Sequence, residues 1–181
     1  MTQYGFVINI NDCYGCKTCS VACKSETQTA EGVTWRKVRE FRTENPNRID
    51  FISMSCNHCD EPQCMKVCPV NAYTKREKDG IVLHDYDKCL GCRSCVMACP
   101  YSAPQYDPVA KKVSKCDMCV DRIEQGLVPR CVESCPAQIM KWGEISELRA
   151  EFGNDIEVVE RMYNMPSHKI SKPNVVIIAA H

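Results

Sequence analysis

Sixteen cysteines in 181 residues, set out in four groups of four, constrain this chain more than any other feature. Group I is Cys13, Cys16, Cys19 and Cys23, and group II is Cys56, Cys59, Cys64 and Cys68. Group III is Cys89, Cys92, Cys95 and Cys99, and group IV is Cys116, Cys119, Cys131 and Cys135. A cysteine share of about 9% is the density of a stapled or metal-built scaffold. A chain this long can bury an ordinary core without staples. The sulfurs therefore serve a purpose other than closing a small fold.

Groups I and III are copies of one motif. Asp12-Cys13-Tyr14-Gly15-Cys16-Lys17-Thr18-Cys19 aligns with Lys88-Cys89-Leu90-Gly91-Cys92-Arg93-Ser94-Cys95, and Ala22-Cys23 with Ala98-Cys99. The glycine, the basic residue and the small hydroxyl residue recur along with the sulfurs. Groups II and IV share a looser plan, C-x2-C, an insert of four or eleven residues, then C-x3-C-P.

A cubane of four irons and four sulfides offers four metal corners, and each takes one thiolate. A C-x2-C-x2-C loop turns three sulfurs onto three corners. The next cysteine, four residues on, lies one helical turn away and faces another centre, as in two-cluster ferredoxins. All sixteen cysteines are thus candidate metal ligands, and four [4Fe–4S] clusters are expected. Spacing by itself suggests that neighbours, group I with group II, exchange their last cysteines. Structural zinc prefers two C-x2-C pairs a dozen or more residues apart, a pattern that group IV taken alone also fits. Disulfides belong to small secreted scaffolds, and C-x2-C pairs are short for bridging. No cysteine is marked out as a reactive free thiol.

The expected fold class is α+β: tandem bacterial-type ferredoxin-like units of short strands, short helices and many loops. The units span 1–75, with groups I and II, and 80–145, with groups III and IV. A C-terminal helix and extended tail, 146–181, follow and pack on a partner or the core. Residues 4–10 and 81–84 are β-rich and lead into cluster loops. Residues 33–41 and 48–55 alternate as an inserted hairpin. Short helices begin at the third cysteine of each group and stop at Cys68-Pro69, Cys99-Pro100 and Cys135-Pro136, because proline disfavours helix in the residue before it; Cys23-Lys24 has no such stop. Residues 122–125 before Gly126, and 146–152 before Gly153, read as glycine-capped helices.

Enzyme machinery is not found. The chain has no G-x-G-x-x-G, P-loop or H-E-x-x-H, and complete cysteine ligation favours one-electron transfer over chemistry at iron. No cysteine pair is followed by the histidine of c-type haem attachment; Lys17, Asp60, Arg93 and Val120 stand there. His58 reads as a loop residue bonding the backbone or as a site of proton uptake. Lys17, Lys24, Lys66, Arg93 and Lys115 either tune cluster charge or are solvated. Trp35 and Trp142 read as core or interface anchors. The 23 basic and 23 acidic residues balance, which gives no electrostatic reason to bind nucleic acid. Four oxidised clusters, each about −2 with its thiolates, would make the working protein acidic by about −8. The N-terminus lacks a basic, then apolar, leader, and the longest apolar run is too short to span a bilayer. Membrane association is expected only through a partner.

Several runs go beyond cysteine spacing: Gln3-Tyr4-Gly5-Phe6, Ser55-Cys56-Asn57-His58-Cys59, Lys66-Val67-Cys68-Pro69, Met97-Ala98-Cys99-Pro100-Tyr101, Cys131-Val132-Glu133-Ser134-Cys135-Pro136 and Lys172-Pro173-Asn174. In these the chain closely resembles the iron–sulfur (B-chain) subunit of the dimethyl sulfoxide reductase family of molybdopterin oxidoreductases. The resemblance implies that groups I and IV exchange last cysteines, as do II and III. One cluster then takes Cys13, Cys16, Cys19 and Cys135, and the second takes Cys116, Cys119, Cys131 and Cys23. The third takes Cys56, Cys59, Cys64 and Cys99, and the fourth takes Cys89, Cys92, Cys95 and Cys68. Cys92 stands where some relatives have tryptophan and a [3Fe–4S] cluster, so four cubanes are implied. A catalytic subunit with molybdopterin guanine dinucleotide would dock near Cys13, and a quinol-handling membrane anchor near Cys89. The complex would sit on the outer, periplasmic face of the cytoplasmic membrane, co-exported with a partner bearing a twin-arginine signal. The competing reading is a polyferredoxin-like subunit of a cytoplasmic hydrogenase or formate dehydrogenase; a zinc-stapled interaction module is a third.

Overall fold

The run Tyr-Gly-Phe-Val-Ile-Asn near the N-terminus is apolar on consecutive positions, the mark of a strand buried on both faces. In the computed structural model, which describes residues 2–42 and 48–179, it forms β1 (Tyr4–Asn9), the centre of a three-stranded sheet. One neighbour is β8 (Met140–Glu144), antiparallel with Phe6 opposite Trp142. The other is β9 (Val175–Ile178), parallel with Phe6 opposite Val175. Alternation splits the strand's side chains. Phe6 and Ile8 join Val175, Ile177, Ile52 and the sulfurs of Cys19 and Cys131 in the main core. Val7 and Val176 point the other way, against Ile145 and Leu148 of α6 (Ile145–Phe152). Gly5 lets the strands come this close, because a Cβ there would lie 2.5 Å from the Asn174 carbonyl oxygen.

Between β1 and β8 the chain runs α1 (Thr18–Thr27), β2 (Lys37–Arg42), β3 (Ile49–Met54), α2 (Gln63–Lys66), β4 (Tyr73–Lys75), β5 (Val82–His84) and α3 (Ser94–Ala98). It continues through β6 (Gln105–Asp107), β7 (Lys112–Ser114), α4 (Val120–Glu124) and α5 (Arg130–Glu133). After α6 come α7 (Ile156–Met162), a 3-10 turn at His168–Ile170, and β9. The fold is α+β, with β2–β3, β4–β5 and β6–β7 as separate two-stranded ribbons. The inserted hairpin is β2–β3; its expected turn lies outside the described residues, and its first strand starts only at Lys37.

The expected helix stops follow the prolines. Helices α2, α3 and α5 end at Lys66, Ala98 and Glu133, each ahead of a Cys-Pro step, whereas α1 runs past Cys23 to Thr27. The helix ahead of Gly126 lies at Val120–Glu124, slightly earlier than the residue pattern suggests. Because β1 pairs with β8, the backbone at the start of the chain is zipped to the stretch that follows group IV.

The tail is tied to a cysteine loop. Asn174 is fully buried, and its side-chain amide donates to the His58 carbonyl and to Asp60 Oδ1, both at 2.9 Å. Its backbone N–H donates to the Asn57 carbonyl at 3.0 Å. Asn174→Ala is expected to lower stability by about 1–3 kcal/mol by removing the two side-chain hydrogen bonds that tie the tail to the His58 carbonyl and Asp60. Denaturation of the metal-loaded protein, followed at its visible absorption, checks this; an unchanged midpoint would show that the tie is dispensable.

Candidate metal centre

The loops at 13–19 and 89–95 have one backbone. Gly15 and Gly91 sit at φ +73 and +69, and Lys17 and Arg93 both at φ 63, in the left-handed region just ahead of α1 and α3. Glycine is required at the first position for space as well as φ. A Cβ on Gly91 would stand 1.9 Å from the Lys111 carbonyl oxygen, and one on Gly15 would strike the Phe51 ring. The recurring hydroxyl residue also has a task. Thr18 Oγ1 donates to Cys16 Sγ at 3.3 Å, and Ser94 Oγ lies 3.5 Å from Cys92 Sγ. These contacts, with the Thr18 and Ser94 amides, hold both thiols below their ordinary pKa, so they favour thiolate, the form that binds metal.

The structure gathers the sulfurs from distant stretches. Cys13, Cys16, Cys19 and Cys135 line one cavity enclosing about 320 Å³ of atom-free space. Cys56, Cys59, Cys64 and Cys99 line another of about 370 Å³. Cys23, on α1, lies among group IV rather than group II. Burial pushes its thiol up to about 12, with Cys131 and Cys119 adding to the effect. Burial raises the enclosed Cys116 as well, followed by Cys23. Cys68 shares an apolar cluster with Cys89 and Cys95, around Tyr73, Val82 and Val113, and burial followed by Cys89 and Cys92 raises Cys95. The fold thus sets Cys23 beside group IV, not beside group II as spacing suggests: α1 packs on α5, and α2 on α3.

Backbone amides are aimed at the sulfurs. Cys89 Sγ accepts from Gly91 and Val113, and Cys116 Sγ from Met118, all at 3.4 Å. Each Cys-Pro step is followed by a left-handed residue, Asn71, Ser102 or Gln138 at φ 50 to 52. In two of these turns the next amide reaches back to the sulfur, Ala72 to Cys68 at 3.3 Å and Ala103 to Cys99 at 3.5 Å. N–H donors of this kind stabilise negative charge on sulfur. The donor set therefore fits iron–sulfur clusters, with soft thiolates in an apolar setting and amides pointed at them. Among the described residues no three His, Cys, Asp or Glu side chains close on one point as a lone ion needs; a cubane takes its thiolates on separate corners and so requires a wider set.

The basic residues near the cysteines divide by partner. Lys24 Nζ donates to the carbonyls of Thr29, Ala30 and Val33 at 2.8–3.0 Å, which pins the loop after α1. Lys66 pairs with Glu61 at 3.3 Å, and Arg93 stacks over Tyr106 at 3.7 Å. Lys17 stays at the first cavity. Lys115 is buried and donates to the Val82 and Cys116 carbonyls. Burial pushes Cys64 up to about 12, and the Lys115 ammonium works against that rise. His58 lines the second cavity, fully buried, with Nδ1 accepting from the Val82 amide at 3.0 Å. Burial first, then the charges of Lys115 and Lys75, hold it well below its usual pKa. The ring's one hydrogen bond among the described residues is thus to the backbone, as a loop residue's would be. Sequence reasoning passed over Arg36, which is also buried; a lone basic residue at a hairpin's edge carries no signal of it.

Comparison with known proteins agrees with this donor set. A family described as 4Fe–4S dicluster domain matches residues 47–145, and a second of the same description matches 12–72. The B-chain of the anaerobic dimethyl sulfoxide reductase of Escherichia coli is 44% identical over 97% of this chain and 88% of the relative. This protein belongs to the family of dimethyl sulfoxide reductase B-chains. The B-subunit of tetrathionate reductase from Salmonella typhimurium is 39% identical over 80% of this chain and 59% of the relative. The B-subunit of sulfite dehydrogenase from Allochromatium vinosum is 36% identical, with 83% and 72% covered. As a member of this family the protein is an iron–sulfur electron-transfer subunit of a reductase complex, not the catalytic subunit. No helix among its described residues is long and apolar enough to cross a membrane.

Gly91→Ala in this iron–sulfur subunit is expected to lose the iron held by loop 89–95, because the new methyl meets a backbone carbonyl that cannot step aside. Gly126→Ala, where nothing lies within 4 Å of the added carbon, keeps full iron. Metal analysis of both variants checks this; equal iron would remove the steric argument.

Proposed function

We propose that the chain carries four [4Fe–4S] clusters as a line of electron relays. They connect a quinol-handling membrane subunit, or another donor, to a catalytic subunit that holds molybdopterin guanine dinucleotide. Each bound cluster accepts and returns one electron. The cysteine sets are Cys13, Cys16, Cys19 and Cys135; Cys23, Cys116, Cys119 and Cys131; Cys56, Cys59, Cys64 and Cys99; and Cys68, Cys89, Cys92 and Cys95.

The observation that carries this reading is the pattern of burial. Cys16 and Cys92 alone among the sixteen cysteines are exposed, and they belong to the first and last sets. Between these ends the sets adjoin. Cys131 presses on Cys19, after burial, in raising its pKa. Cys56 and Cys116 share a small apolar cluster with Cys99, and Cys64 shares another with Cys95. Such an order supports electrons entering at one end and leaving at the other, with the middle sets shielded from water. Exposed apolar side chains flank both ends: Tyr14 beside Cys16, and Leu90 and Met97 around Cys92. They suit docking of two different partners. The relatives act on different substrates while keeping a similar iron–sulfur subunit, so substrate choice rests with the catalytic partner. In this reading the complex sits on the outer face of the cytoplasmic membrane, exported with that partner.

Two measurements test this. Cys135→Ser and Cys16→Ser should perturb the same component in the electron paramagnetic resonance spectrum of the dithionite-reduced protein. Cys23→Ser and Cys119→Ser should share a different one. Perturbation of one component by Cys135→Ser and Cys119→Ser together would contradict the sets. Anaerobic isolation of the native complex should bring down a molybdopterin protein; a hydrogenase large subunit in its place would overturn the partner assignment.

A further inference from the structure

Arg36 is 1% exposed, and its guanidinium has no carboxylate within ion-pair distance among the described residues. Its bonds run to neutral groups. Nη1 donates to the Ser53 carbonyl at 3.2 Å and to Ser53 Oγ at 3.1 Å, and Nη2 donates to Ser55 Oγ at 2.8 Å. Met140 Sδ lies 3.5 Å from Nη1, the Phe6 ring 4.8 Å from the guanidinium carbon, and Nε has no partner. A buried cation costs heavily unless an anion answers it, and arginine does not escape by losing its proton. The anion is close by. Ser53 Oγ, bonded to Nη1, is also 3.2 Å from Cys19 Sγ. Phe6 and Met140, which touch the guanidinium, share one buried core with both Cys19 and Cys131, and Cys131, Cys116, Cys19 and Cys23 favour the charged form of Arg36 against the cost of its burial. Cys19 belongs to the first proposed set and the other three to the second.

We propose that Arg36 is a counter-ion shared by the first two clusters, and that it raises both reduction potentials together while leaving the third and fourth alone. Reduction adds negative charge at a cluster, and a fixed positive charge favours that form. In the low-dielectric interior between the two sets this effect is weakly screened. Ser53 is a positioning residue that hands part of the interaction to Cys19. The inference rests on the cysteine sets proposed above.

The test is an anaerobic redox titration of the full-length, metal-loaded chain, with the clusters followed by electron paramagnetic resonance. The components are identified beforehand through Cys16→Ser and Cys119→Ser. In Arg36→Met, the two components lost in those cysteine variants should become harder to reduce by tenfold or more, which is about 59 mV for one electron. The other two should hold their potentials. Arg36→Lys, which keeps the charge, should restore most of the shift. Unmoved potentials in a loaded Arg36→Met chain would overturn the proposal, as would an equal shift of all four. Where Arg36→Met fails to load, Arg36→Lys decides: loading with near-normal potentials supports a role for the charge, and failure of both variants shows a role in shape alone. If the cysteine variants do not separate the components as assigned, the sets fail, and a counter-ion shared by the first two of them falls with them.

Discussion

The proposed arrangement depends on one constraint, that four thiolates from two separate stretches of chain meet on one inorganic cube. In the proposed arrangement no cluster closes within one cysteine group. Cys135 must return to the loop of Cys13, and Cys23 must cross to α5. The long-range pairing of β1 with β8, and the packing of α1 on α5, are the protein's side of that closure. Ligand binding and folding are then one event, since the sets do not exist in the unfolded chain.

Sulfur in an apolar core brings a second requirement, a place for negative charge. Backbone amides meet part of it, as Ala72, Ala103, Gly91, Val113 and Met118 do for Cys68, Cys99, Cys89 and Cys116. Two buried cations meet more of it: the Lys115 ammonium favours the charged form of Cys64, and the Arg36 guanidinium that of Cys19. The hydroxyls of Thr18 and Ser94 serve the two exposed cysteines, where water already shares the charge.

Much of this could be read from the residues, because ligand loops are local. The Cys-Pro helix stops act within a few residues and appear where expected; the repeated loop also recurs as one backbone, although the contacts that demand glycine at 15 and 91 come from Phe51 and Lys111. Exchange of last cysteines is not local, and spacing pointed to the wrong neighbour for Cys23; only the family resemblance pointed elsewhere. Strand β5 falls within the β-rich run 81–84, but β4, β6 and β7 are three residues each, too short to show alternation. The segment 140–144 has no strand-like pattern, yet it becomes β8 because β1 offers it an edge. Arg36 was hidden for a related reason: its burial is made by Phe6, Ser53 and Met140, which are remote in sequence.

The most direct test of four complete cysteine sets is iron and acid-labile sulfide per chain in anaerobically purified protein, combined with a count of one-electron components in its redox titration. Four cubanes predict about sixteen irons and as many sulfides, with four components. About half that iron with two components, or zinc without sulfide, would contradict the account.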